Sequence, residues 1–307
     1  MIIILKKIII TGATSMIGIA LTEVAIREGT EVYAIIRPDT KRRDRIIKSP
    51  LVHTVFASLD TLNTVNDSIP RDCDVLYHFA WLGTNKETRD DPQVHEKNIR
   101  YTLDVVELAE RLGCHRFIGA GSQAEYGPVD GVIDENTRFN PVTSYGIAKY
   151  AAGILSRKLC EKKGIKHIWG RIFSVYGPHD NEGTMLNYAI DCFNKGEVAK
   201  FSSGTQLWNY LYESDAGEMF YRMGQREIAP KTYFIASQES RQLKDYIDTL
   251  MAVYGSKAKA EFDTGQDSYS LNVDVEDSLN ALGYKHQISF EAGIQKMLLP
   301  PPVFIKN

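Results

Sequence analysis

The sequence predicts an α/β fold, a Rossmann-type doubly wound parallel sheet followed by a smaller C-terminal α/β region. Three observations carry that prediction. Short β-branched runs alternate with amphipathic helical patterns through the first half of the chain, as they do when helices cover both faces of a parallel sheet. The first run ends in a glycine-containing turn that leads straight into a helical pattern. Beyond about Gly177 the regular alternation stops, and helical segments stand among short strands and loops.

In chain order, the strands are read at Lys7–Ile10, Glu31–Ile36, Leu51–Val55, Val75–Phe79, Phe117–Ala120 and His167–Gly170, each a short, largely apolar run. Ile17–Glu28 carries apolar residues at helical spacing. So does Val94–Leu112, which ends at Gly113, where a left-handed cap residue is expected. Further on, Met185–Lys195, Gln242–Val253 and Val275–Leu282 read as helices. With no repeat, low-complexity tract or flexible linker between them, residues 1–176 and 177–307 are expected to pack as one body. Whether some of the later chain returns to the first sheet stays open.

A chain of 307 residues allows about two domains or one large α/β unit. Hydrophobic residues at 43% and charged residues at 24% fit a globular protein and exclude a disordered tail or a fibre. Lys and Arg number 36 against 39 Asp and Glu, a net charge of -3, so no basic field exists to hold nucleic acid. The apolar opening stretch is interrupted by Lys6 and Lys7 and no small-residue cleavage site follows it; it reads as neither a signal peptide nor a membrane span. Cys73, Cys114, Cys160 and Cys192 form no C-x-x-C pair and have no histidine at ligand spacing, so a reducing cytoplasm and no metal are expected.

Thr11 to Gly18 lies between the first strand and the first helix, where a tight turn brings backbone N–H groups to a pyrophosphate at a helix N-terminus. Gly12, Thr14, Ser15, Met16, Ile17 and Gly18 are the candidate cofactor residues of this turn. At the end of the second strand an acidic residue would bind the adenosine ribose and an arginine would accept a 2′-phosphate. The residue is Arg37, with Lys41, Arg42, Arg43, Arg45 and Lys48 following, which favours NADP(H) with NAD(H) as the alternative; the bland reading of the segment is a solvated loop. Tyr145 and Lys149 stand at i and i+4 on one helix face, with Ser122 on the loop after the preceding strand. A phenol is a weak acid–base at neutral pH, and a cation beside it favours the phenolate.

Together these motifs resemble the extended short-chain dehydrogenase/reductase family, in particular its nucleotide-sugar epimerases, dehydratases and ketoreductases, over nearly the whole chain. The glycine loop is similar to T-G-x-x-G-x-x-G, with Ser15 at the middle glycine. Tyr77-His78-Phe79-Ala80 resembles the fourth-strand motif beside the nicotinamide, and Asn98 the family's helix asparagine. Gly121 to Gly127 is similar to the active-site loop ending in Tyr-Gly, and Arg171 to Pro178 to R-x-x-N-V-Y-G-P with Ser174 at the asparagine. Gly204 to Asp215 resembles a stretch of the substrate domain, with Trp208 at its arginine, and Asp274 to Tyr284 a closing pattern without its lysine.

What the resemblance implies is a dinucleotide-binding unit over 1–176 and a substrate-binding region over 177–307. Ser122, Tyr145 and Lys149 are then the catalytic residues, and Phe79, Ala80, Asn98, Tyr145 and Lys149 join Arg37 and the glycine loop in holding the cofactor. Trp81, Gln123, Tyr126, Arg171, Ser174 and Trp208 are carried as substrate contacts; packing is the alternative for Trp81 and Tyr126, and a buried ion pair for Arg171. His78 reads as cofactor-adjacent or as a core histidine. The expected activity is NADPH-dependent reduction of a 4-keto-6-deoxy sugar nucleotide by a cytoplasmic homodimer. Its alternatives are a nucleotide-sugar epimerase with tightly bound NAD and a non-catalytic dinucleotide-binding regulator. Dehydration is disfavoured because Gln123 and Ala124 stand where family dehydratases carry Asp-Glu, and Glu125 is a weak substitute.

Overall fold

The structure, a computed structural model, describes residues 1–65, 68–85, 87–265 and 269–299. Seven strands make the central sheet: β1 Lys7–Thr11, β2 Glu31–Ile36, β3 Val52–Phe56, β4 Val75–His78, β5 Arg116–Ser122, β6 Lys166–Ile172 and β7 Thr232–Ile235. The helices are α1 Met16–Arg27, α2 Pro92–Arg111, α3 Ser144–Lys163, α4 Met185–Lys195, α5 Glu213–Gln225, α6 Leu243–Tyr254, α7 Glu276–Leu282 and α8 Phe290–Leu298. All sheet pairings are parallel, in the order β3-β2-β1-β4-β5-β6-β7. The order reverses between β1 and β4, and such a switch point opens a crevice at the carboxyl ends of the strands.

Strand periodicity sorts the core. Ile8, Ile10, Tyr77, Ile118 and Ile168 join Leu21 and Val24 of α1 and Met219 and Phe220 of α5 in one cluster. Their neighbours Ile9, Leu76, Phe117 and Trp169 join Val105 and Leu108 of α2 and Ala152 and Cys160 of α3 in another. Alternate residues thus serve opposite faces, which makes both sides of the sheet dry and explains the near-continuous apolar runs in the sequence.

The sequence locates α1, α2, α4, α6 and α7 to within two residues, and Gly113 has the left-handed φ of 76° expected after α2. It does not locate α5 or β7, and both belong to the sheet: β7 pairs with β6, and α5 packs on α1. Gly217 and Gly224 interrupt the helical pattern of α5, and a Cβ at Gly217 would come within 2.6 Å of the Ala20 backbone. Close helix packing here uses a residue of low helix propensity.

The remaining C-terminal chain builds a separate core from Leu186, Phe193, Tyr246, Leu250, Phe290 and Ile294 of α4, α6 and α8. Short pairings tie it to the sheet body, among them Tyr210–Tyr212 alongside Ser174–Tyr176. Among the described residues no helix is long and apolar enough to cross a membrane.

Candidate active site

A cleft of about 1100 Å³ lies along the carboxyl ends of the strands, walled by the sheet body on one side and by Ser174, Trp208 and Tyr210 on the other. Its floor begins at the glycine loop. Gly12 has φ 73°, and a Cβ there would sit 2.7 Å from the Ala80 backbone nitrogen, so only glycine lets the loop lie against the end of β4. Ser15 replaces the usual middle glycine with a helix cap, its Oγ accepting from the Gly18 N–H at 3.1 Å. Gly12, Thr14, Ser15, Met16 and Ile17 line the cleft, while Gly18 is buried beneath them. The first turn of α1 holds no acidic residue. A helix N-terminus that opens onto the cleft with no carboxylate in its first turn fits the pyrophosphate of a dinucleotide.

At the adenosine end of such a cofactor, Arg37 lines the cleft, exposed and 4.0 Å from Asp39. Arg42 donates to Asn181 Oδ1 at 2.8 Å and Arg45 to the His179 carbonyl at 2.9 Å, tying this basic loop to the chain beyond β6. His179 is held by Glu213, 2.8 Å away, and that hydrogen bond raises its pKa.

At the other end, β4 delivers Phe79, Ala80 and Trp81 to the wall. His78 lies behind it, between the hydroxyls of Thr11 at 2.8 Å and Thr102 at 3.3 Å, and burial lowers its pKa to about 3. It is a neutral core histidine. Asn98 also lies behind the wall: its side chain accepts from the Leu82 N–H at 2.9 Å and donates to the Leu82 carbonyl at 3.0 Å, fixing the loop after β4 instead of facing the cleft.

Ser122 ends β5, and Tyr145 begins α3, whose N-cap Thr143 accepts from Gly146. Tyr145 shares the cleft lining with Ser122; burial raises the phenol's pKa, and the Arg89 charge and the Ser122 side chain oppose the rise. One turn on, Lys149 is buried, donates to the Ala120 carbonyl at 2.8 Å and lies 3.7 Å over the Trp81 ring. Burial lowers its pKa to about 7. Ser122, Tyr145, Lys149, Trp81, Gln123, Ser174 and Trp208 all line the one cleft.

Tyr126 and Arg171 do not. Arg171 is buried and donates through Nε and Nη2 to Glu125 Oε2, at 3.0 and 2.6 Å, and through Nη1 to the Tyr126 hydroxyl at 2.8 Å. Glu125 Oε1 accepts from the Ser122 N–H at 2.8 Å and from Trp169 Nε1 at 3.0 Å. Both carboxylate oxygens are therefore filled, and Glu125 has no exposure through which to act on a substrate. Arg89 is among the cleft residues that the sequence reading misses, as are Asn85, Asp180 and Tyr210; its guanidinium lies 4.2 Å over the Tyr145 ring. It sits in a polar loop with neither periodicity nor motif, so only the folded chain brings it to the site. Among the described residues no group of three His, Cys, Asp or Glu side chains could hold a metal ion.

Residues 8–236 match the model of the NAD dependent epimerase/dehydratase family. The chain is 22% identical to CDP-abequose synthase of Salmonella typhimurium, covering 95% of this chain and 97% of that protein. Its fold is that of the UDP-glucuronic acid 4-epimerase from Bacillus cereus solved in complex with NAD, with a TM-score of 0.81, 22% identity and coverage of 94% of this chain and 96% of the other. The UDP-glucose 4-epimerase from Thermotoga maritima, solved with UDP-glucose, aligns with a TM-score of 0.83 at 18% identity, over 95% and 97% of the two chains.

Two outcomes follow from the geometry. Removing one partner of the buried pair, as in Glu125→Ala, strands the Arg171 charge and costs about 3–5 kcal/mol in urea unfolding; Glu125→Leu with Arg171→Met recovers most of it. A loss below about 1 kcal/mol for the single variant would contradict the account. Lys149 gives a pH signature. An unfolded lysine titrates near about 10.4, and the folded one near about 7. Below pH 7 both states carry the proton and the burial penalty is present in full. Between the two values the unfolded state binds more protons, so stability rises with pH. Lys149→Met therefore stabilises the ligand-free protein most at about pH 6, and the gain in Tm shrinks by about pH 9; a gain that grows with pH would refute this sign.

Proposed function

The chain belongs to the NAD dependent epimerase/dehydratase family, and within it we propose an enzyme that inverts one ring carbon of a nucleotide-activated hexose. The observation that carries this reading is the state of the loop after β5: Ser122 and Tyr145 line the cleft together, and the loop's carboxylate, Glu125, is consumed by Arg171 and Trp169. Elimination of water from a sugar needs one group to take a carbon-bound proton and another to protonate the leaving hydroxyl. Gln123 and Ala124 can do neither, and Glu125 is buried. What the site can do is move one proton at one hydroxyl.

The residues present fit a nicotinamide dinucleotide, which supplies the hydride acceptor and donor when bound. Thr14 to Ile17 at the start of α1 would hold its pyrophosphate, Arg37 would stand at its adenosine end, and Phe79, Ala80 and Lys149 would hold its nicotinamide half. Tyr145 takes the proton from the sugar hydroxyl and returns it, and Ser122 orients that oxygen by a hydrogen bond. Trp81, Gln123, Ser174 and Trp208 bound the space left for the sugar nucleotide. This assigns residues 1–176, completed by α5 and β7, to the cofactor and the rest of 177–307 to the substrate. The NAD-bound UDP-sugar epimerase of the same fold supports this choice over the reductase.

A second reading, NADPH-dependent reduction of a 4-keto sugar nucleotide, is favoured by one feature, the cluster of Arg37, Lys41 and Arg42 along the adenosine end of the cleft. The assay separates the two. Purified protein with UDP-glucose or UDP-glucuronate and no added reductant should invert the sugar carbon with no net change in cofactor, and Tyr145→Phe should lower kcat by about 10²-fold or more. Stoichiometric loss of NADPH with a 4-keto-6-deoxy sugar nucleotide, without inversion of the UDP-sugars, would replace the first reading with the second.

A further inference from the structure

We propose that Arg89 is a positioning residue for the reaction: its guanidinium, laid on the Tyr145 ring inside the cleft, is the fixed cation that favours the proton-accepting form of Tyr145. The inference rests on the reading of Tyr145 as the proton-transfer group and changes which side chain supports it. The sequence gives that task to Lys149, one helical turn away. In the structure the Lys149 Nζ lies 5.8 Å from the Tyr145 ring centre, turned onto the Ala120 carbonyl and the Trp81 ring. The Arg89 guanidinium carbon is at 4.2 Å.

Three tethers hold Arg89 there. His95 Nδ1 faces two N–H donors, Trp81 Nε1 and Asn98 Nδ2, each at 3.3 Å, so it must accept, and the proton sits on Nε2. That Nε2–H donates to the Arg89 carbonyl at 3.0 Å. The next residue, Asp90, accepts from the Ser144 N–H at 2.7 Å and so joins the loop to the start of α3, beside Tyr145. Asp91 caps α2, accepting from the Gln93 N–H at 2.9 Å. The two carboxylates that follow Arg89 in sequence are thereby engaged elsewhere, and among the described residues no ion pair joins a carboxylate to its guanidinium. A cation kept on an aromatic face without a counter-ion leaves its charge acting on that ring.

Several other groups face Tyr145. Lys149 is pressed towards its neutral form by burial, with its pKa near 7, whereas an arginine stays charged throughout the accessible range. His95, on α2, has its pKa lowered by burial and stays with the neutral tautomer just described. Glu125, on the turn after β5, opposes phenolate formation but is matched by Arg171. Arg89 is the remaining permanent charge, and it acts in the direction the reaction needs.

The test reads the phenol directly. Protein labelled with carbon-13 at tyrosine Cζ is titrated by NMR, with the Tyr145 signal assigned by its disappearance in Tyr145→Phe. In Arg89→Met the midpoint should move about one pH unit higher, a tenfold change in the ionisation constant, and Arg89→Lys should restore part of it. An unmoved midpoint in Arg89→Met overturns the proposal, and so does a displacement that Arg89→Lys does not reduce. The reading beneath it is tested separately by turnover. Near wild-type kcat in Tyr145→Phe would remove Tyr145 from the chemistry while leaving the Arg89 result to stand or fall on the titration.

Discussion

The buried ion pair between Glu125 and Arg171 is the interaction on which the site depends. Arg171 comes from β6 and Glu125 from the turn after β5, so the pair locks that turn to the neighbouring strand. The same carboxylate holds the Ser122 backbone and the Trp169 indole, giving one group four donors from two neighbouring strands. Such a pair contributes little net stability when complete and costs much when broken, so its value lies in fixing one geometry. The fixed geometry is that of Ser122, whose hydroxyl must meet Tyr145 arriving from a separate helix.

Burial and charge then divide the labour in the cleft. The walls that exclude water raise the pKa of Tyr145 and lower that of Lys149, both away from their charged forms. A proton-transfer phenol in such a place needs a cation that does not itself deprotonate, which is the physical case for a guanidinium nearby. Lys149, held on the Ala120 carbonyl, lines the cleft and is left free for the part proposed for it in holding a nicotinamide dinucleotide.

Much of this is legible in the sequence, and the part that is not has a common cause. The central strands β1 and β4 are near-continuous apolar runs because both sheet faces are dry there, and the glycine loop announces itself by its place after β1. Tyr145 and Lys149 are legible because they stand one helical turn apart, and Ser122 because it follows the preceding strand; all three line the cleft. Helix α5 is hidden by the glycines that let it pack closely, and β7 stands beyond the point where the strand–helix alternation stops. Motif likeness brings Asn98, Tyr126 and Arg171 to the site but does not say in which layer they lie; the structure puts all three behind the wall, where they hold the residues in front. Arg89 reaches Tyr145 only through the tethers of His95, Asp90 and Asp91, and no window of sequence contains that relation.

The central claim is that this site moves a proton only at a sugar hydroxyl and never at a ring carbon or its substituent. Turnover of a nucleotide sugar in heavy water, with mass spectrometry and NMR of the isolated product, tests it most directly. The account predicts inverted product with no carbon-bound deuterium. Deuterium incorporated at a sugar carbon would contradict it, because such exchange requires a carbon acid–base that the buried Glu125 cannot be.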